Sequence, residues 1–260
     1  MYREFMVKKI INWKIFFILL AVCVISAMMV IPYSLALTSA ETVITPLMIF
    51  ASIIQNSILF ALAIFGGLFF AQRIGLGLPI LQGLLEGKNQ SKELRSILLP
   101  SISLGVAAGF LIVGLSIPFN KLVPELGSVD MTIPAWKALL ASFYGGIAEE
   151  VLLRLFLVSL FAWITFKIKK TQDSRPTGFG MWLSIILASV VFGLGHLPAT
   201  AQITALTGNV IIRAIALNGV AGIVFGWLYW KKGLESAMLS HFSADIILHI
   251  LTPFIASKIS

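Results

Sequence analysis

Seven stretches of the chain are apolar over lengths that suit a bilayer crossing, which takes about 20 helical residues. They run over 15–37, 45–71, 97–118, 134–166, 179–197, 210–230 and 234–256. An eighth, shorter piece over 77–85 (LGLPILQGL) is expected at the interface or in a loop. The fold class this pattern predicts is all-α, a multi-pass transmembrane helical bundle of about seven to eight spans. The first stretch has basic residues before it (Arg3, Lys8, Lys9, Lys14), and Ser34-Leu35-Ala36 resembles a cleavage site. Its apolar run is nevertheless longer than the 7–15 residues of a typical signal-peptide core. It is therefore read as an uncleaved first span.

Composition sharpens that reading. Of the 260 residues 58% are hydrophobic and 12% charged, with a mean hydropathy of +0.99; a soluble domain carries about 25% charged residues. The spans leave no room for a sizeable soluble domain. The formal net charge is +8, but the basic residues fall between the apolar stretches and show no aromatic interleaving, so no nucleic acid is expected. Fourteen lysines and arginines sit on one set of alternate loops against four (Lys121, Lys137, Arg213, Lys258) on the other. By the positive-inside rule the N-terminus is cytoplasmic in a multi-pass protein of the cell membrane. The single cysteine, Cys23, has no partner for an intramolecular disulfide.

The polar loop 86–96 (EGKNQSKELRS) divides the chain into an N-terminal two-span unit, 1–96, and a second part, 97–260. The first unit has no charge inside its spans. Every candidate polar residue lies in the second, after about residue 130.

Those candidates are costly groups at bilayer depth, and such groups usually mark function. Glu150 and Arg154 are four apart, on one helical face, and able to pair. Glu149 points about 100° away and has no local partner, which suits a general base. Phe192 and His196 share a face of the fifth stretch, and the glycines between them admit a close neighbour. His241 and Asp245 share a face of the seventh, with His249 continuing the stripe. His249 is expected to be a helix–helix hydrogen-bonding residue, and Gly222 and Gly226 a packing pair. Glu149, His196, His241 and Asp245 stand on three helices and are expected in one shared cavity. Imidazole and carboxylate suit zinc, yet the same groups can position a water without metal, and the residues alone leave both open.

In order, EEVLLR at 149–154, FGLGH at 192–196 and HFSAD at 241–245 resemble the EExxxR, FxxxH and HxxxD/N motifs of the CPBP intramembrane protease family. That family includes the type II CAAX prenyl endopeptidases and bacterial proteins linked to bacteriocin processing and self-immunity. The resemblance covers about residues 130–255. It implies an intramembrane endopeptidase whose water is activated by Glu149 and His196. His241 and Asp245 would support the oxyanion or complete a metal site, and Glu150 and Arg154 would have auxiliary and structural roles. If a divalent metal such as zinc is used, its ligands would come from Glu149, His196 and His241. The implied partners are a peptide or protein substrate at the membrane and the bilayer itself. Members commonly carry glycine after the motif arginine, where this chain has Leu155.

Rival readings are a transporter that relays protons or a cation through Glu149, His196 and Asp245, and a non-catalytic immunity or scaffold protein. One geometric difficulty accompanies the enzyme reading. His196 lies about 26 Å along its span and His241 only about 10 Å along its own at 1.5 Å per residue, so the spans must be offset for the two to meet.

Overall fold

Lipid offers no partner to backbone N–H and C=O groups, so a spanning chain must close its own hydrogen bonds, as a helix does. The structure, a computed structural model, describes residues 11–37, 45–127 and 133–259; Arg3, Lys8 and Lys9 lie outside them. Seven helices are long and apolar enough to cross a membrane: α1 (Trp13–Leu37), α2 (Pro46–Ile74), α3 (Ser91–Leu122), α4 (Ala135–Ile168), α5 (Gly178–Thr200), α6 (Gly208–Lys232) and α7 (Leu234–Lys258). Among the described residues there is no strand, only an isolated bridge between Lys170 and Pro176. The chain is an all-α, multi-pass membrane bundle.

Local chemistry starts and stops these helices. Asn12, Thr45, Thr177 and Thr207 each accept a backbone N–H in the first turn of α1, α2, α5 and α6, the usual role of such residues at a helix start. Lys231 and Lys232 close α6, where cations meet the negative end of the helix dipole. The chain then turns into α7 at a single residue, Gly233, whose φ of 97° disfavours any side chain. The short apolar piece after α2 is a helix, Pro79–Leu85. It is fastened to the start of α7 by Leu234 N to Gly77 O at 3.0 Å and by Leu81 N to Glu235 Oε1 at 2.9 Å.

Small residues let the backbones approach. A Cβ on Gly193 would come within 2.5 Å of Ile215 Cα, one on Gly226 within 2.7 Å of Ile185, and one on Gly222 would overlap Ser189, so α5 and α6 are nearly in backbone contact. Gly105 and Gly109 do the same for α3 against α7, helped by a 2.7 Å hydrogen bond between Ser101 and Ser236. On α2, Gly66 and Gly67 face Phe156 and Leu155 of α4. Leu155 is fully buried there. The space that glycine would give after the motif arginine is supplied from α2 instead, which accounts for the tolerance of leucine at 155.

α1 and α2 pack on α4 across one apolar core that includes Phe16, Phe60, Ile64, Val151, Leu155 and Val158. The junction at 96/97 lies inside α3. Large apolar side chains such as Phe17, Leu62, Leu99 and Phe179 are exposed on the outside, as a lipid-facing surface requires.

Two helices are not regularly wound. In α4, Tyr144–Glu149 and Val151–Val158 close hydrogen bonds over five residues instead of four, and Ile246–Leu251 does so in α7. Such π-wound segments occur often at functional sites. Here they contain Glu149 and Arg154, flank Glu150, and begin directly after Asp245.

Candidate active site

The π-wound stretch of α4 is where the two carboxylates meet α7. Gly146 rests against the Met238 carbonyl and Phe242, and Gly145 faces the Asp245 carboxylate and His241 Nε2. With no side chains at 145 and 146, the α4 backbone sits directly on the motif face of α7. The following turn then presents Glu149 and Glu150 to one imidazole.

His241 is the hub. Its Nδ1 lies 2.7 Å from Glu150 Oε1, while its Nε2 lies 3.6 Å from Asp245 Oδ1 and 3.8 Å from Glu149 Oε2. A carboxylate only accepts, so Nδ1 carries the proton and donates it to Glu150. The other ring nitrogen faces two carboxylates across gaps wider than a hydrogen bond and of a size that one water bridges. The two glutamates were expected about 100° apart. The wider winding turns the chain less per residue, so neighbouring carboxylates reach the two sides of a single ring.

Glu150 and Arg154 pair as their spacing predicts, with Arg154 Nη1 at 2.9 Å from Glu150 Oε1. Both are buried, Glu150 at 0% exposure and Arg154 at 2%. The guanidinium also lies 5.1 Å from the ring centroid of Phe192 and 5.3 Å from that of Phe225, and its Nη2 donates to the Gly222 carbonyl at 3.4 Å. Cation–π contact and the ion pair together offset the burial of the charge. Phe225 stacks on His241 as well, with ring centroids 4.7 Å apart. One carboxylate and one phenyl ring thus hold both the cation and the imidazole. Glu149 is different: its side chain is 23% exposed and makes no ion pair shorter than 3.8 Å among the described residues.

Phe192 resolves much of the depth problem. Helical side chains lean toward the N-terminus of their helix, and its ring makes edge contacts with both His196 (4.8 Å) and His241 (5.8 Å). His196 itself is half-buried. Its Nδ1 lies 2.9 Å from the Phe192 carbonyl; the carbonyl can only accept, so the neutral ring keeps a free lone pair on Nε2. Among the described residues no hydrogen bond or ion pair joins His196 to Glu149. Glu149, Glu150, Arg154, His241 and Asp245 form one connected cluster, which His196 meets through Phe192.

Reading the sequence missed three contributors. Phe225 is one apolar residue among many on α6. Gly145 is one of 21 glycines, although its place four residues before Glu149, at the foot of a motif, was a usable signal. Tyr33, at the end of α1, places its hydroxyl 3.5 Å from His249 Nδ1, and His249 Nε2 is 4.0 Å from Asp245 Oδ1. A residue of the first span therefore reaches the edge of the cluster.

The donor set considered for zinc, Glu149, His196 and His241, does not converge. Among the described residues no group of three or more His, Cys, Asp or Glu side chains is disposed to hold a metal ion. His241 and His196 spend Nδ1 on Glu150 and on the Phe192 carbonyl, which leaves each Nε2 available as a ligand; what is lacking is their convergence on one point. As they stand, the residues do not fit such a site.

The contact at Gly145 yields a direct expectation. In Gly145→Ala the new Cβ overlaps Asp245 Oδ2 and comes within 3.1 Å of His241 Nε2. Displacing reacting groups by about 1 Å can cost about 10²-fold in rate, so if this cluster is the reactive one, the protein's activity is expected to fall on that scale. Gly114→Ala, where a Cβ meets open space, serves as the control and is expected to match wild type in the same measurement.

Residues 131–247 match the family model described as Type II CAAX prenyl endopeptidase Rce1-like. No curated protein and no solved structure matches the chain.

Proposed function

We propose that this chain, a member of the CPBP family by its match over residues 131–247, is an intramembrane endopeptidase of CAAX-protease type. It hydrolyses peptide bonds of membrane-associated or lipidated substrates. The observation that carries this reading is the difference between two adjacent carboxylates: Glu150 is tied to Arg154 and His241, while Glu149 faces the same imidazole untied and partly exposed.

In this mechanism a water donates one proton to Glu149 and the other to His196 Nε2. Glu149 takes one of its protons as the oxygen attacks the scissile carbonyl carbon. His241 enters this step protonated on both ring nitrogens, Nδ1–H held by Glu150, and its Nε2–H, which Asp245 faces at 3.6 Å, donates to the oxygen that becomes negative. The C–N bond then breaks, and the proton held by Glu149 passes to the leaving amine. His196, whose Nε2 only accepts while the ring is neutral, is assigned to holding the water with Glu149. Phe192, Phe225 and Arg154 fix the two imidazoles and Glu150. This mechanism needs no metal, and in it the N-terminus is cytoplasmic.

The test uses purified protein in phospholipid vesicles and an internally quenched peptide ending in a farnesylated CAAX sequence, with its unprenylated counterpart. Release of a C-terminal fragment, identified by mass spectrometry, is expected, and 1,10-phenanthroline is expected to leave the initial rate unchanged. A rate lost to the chelator and restored by zinc would overturn the metal-free mechanism. If neither peptide is cut and cellular membrane proteins show no new termini, the endopeptidase reading falls and ion flux becomes the assay.

A further inference from the structure

Along α2 the residues Phe60, Ala63, Gly67, Ala71 and Ile74 recur at spacings of three or four and are buried, on the helix that packs against α1 and α4. Followed toward the start of α2, the same spacing passes through Asn56, Ser52 and Ile49. There the face is no longer covered. A crevice of about 440 Å³ opens between the start of α2 and the end of α1, bounded by Ile49, Ser52, Asn56, Ser34 and Tyr144 among others.

Its walls are mostly apolar, with Ala27, Val30, Ile31 and Ile49 among them, but they carry a few polar side chains. Ser34 comes from α1, and Ser52 and Asn56 from α2, with Asn56 Nδ2 donating to Ser52 Oγ at 3.3 Å. That bond uses one proton of an amide that carries two, together with an oxygen that accepts. Polar groups at this depth are costly unless something pairs with them. Two residues of its wall adjoin, along the chain, residues that touch the cluster. Tyr144, in its wall, precedes Gly145, which faces Asp245 and His241. Ser34 follows Tyr33, which touches His249 beside Asp245.

A peptide bond is attacked only when the chain around it is extended, and the backbone N–H and C=O groups freed from a helix then need partners where water is absent. The crevice offers donors and acceptors at that place. We propose that it is the docking groove for the extended backbone next to the scissile bond, with Asn56, Ser52 and Ser34 as its hydrogen-bonding wall. This rests on the endopeptidase reading, and it gives the first two spans a part in substrate recognition.

The experiment places a photo-crosslinking benzoylphenylalanine at Met48, on the rim of the crevice, or at Ile54, exposed on the opposite side of α2. Both are built in the Glu149→Gln protein in phosphatidylcholine vesicles, with the farnesylated and unprenylated peptides as probes. Peptide adducts are expected at Met48, with little at Ile54, and for both probes, because the groove reads backbone. In the active protein, Asn56→Leu is expected to raise KM about tenfold, the worth of about one hydrogen bond, with kcat unchanged, and Asn56→Gln to recover part of it. Equal labelling at the two positions, adducts with phospholipid alone, adducts with a second copy of the chain, or an unchanged KM would each overturn the proposal. Failure of the endopeptidase reading looks different: wild-type protein cuts neither peptide, while crosslinking, which needs no turnover, still decides whether the groove holds peptide.

Discussion

Glu149→Gln is expected to lower kcat/KM about 10²- to 10⁴-fold, the usual worth of a general base, while the protein keeps its fold. Glutamine preserves the size of the side chain and removes its ability to take a proton. Glu149 holds no partner within hydrogen-bond distance among the described residues, so nothing structural is lost. The same substitution one residue later has a different outcome. Glu150 is fully buried and its Oε1 serves both Arg154 and His241. Glu150→Gln leaves the guanidinium without a counter-charge in an apolar core, so both stability and activity fall. The pair is separated by measuring peptide cleavage and thermal unfolding in detergent side by side. Equal destabilisation by both changes would show that Glu149 is structural. Full activity in Glu149→Gln would remove it from the chemistry.

That asymmetry was half visible in the residues. The spacing of Glu150 and Arg154 marks a helical pair, and length and hydropathy mark the spans, because both depend on local rules. Span ends were less legible: α3 begins at Ser91, before the apolar window at 97, since hydropathy marks the part that suits lipid and not the limits of the helix. What sequence could not yield depends on the winding and on distant contacts. A π-wound turn changes which side chains share a face without any local signature, so the approach of both glutamates to His241 was hidden. Phe225 and Tyr33 have no unusual neighbours in sequence and gain their roles only when α6 and α1 pack against α4 and α7. The same holds for Asn56 and Ser52. Their spacing continues the buried stripe of α2, but only the packing of the helices shows that this part of the stripe lines a crevice.

Arg154→Met is expected to be the most destabilising single change at the site. Methionine fills much of the arginine's volume and keeps contact with Phe192 and Phe225, so packing is largely retained and the loss is electrostatic. Glu150 would be left as an uncompensated carboxylate at 0% exposure, a situation that costs about 3–5 kcal/mol when a buried pair is broken. A loss of that size is a large part of a domain's net stability of about 5–15 kcal/mol, and poor accumulation in the membrane is expected with a lowered unfolding temperature. The double variant Glu150→Gln/Arg154→Met separates charge from shape. It leaves no unpaired charge from this pair, so most of the stability is expected to return, since replacing both partners of a buried pair is often neutral. Activity is expected to stay low in the recovered fold. His241 then donates Nδ1–H to a neutral amide oxygen instead of a carboxylate, and its orientation toward Glu149 and Asp245 is held less firmly. Recovery of both stability and turnover in the double variant would mean that Glu150 neither orients His241 nor contributes to catalysis.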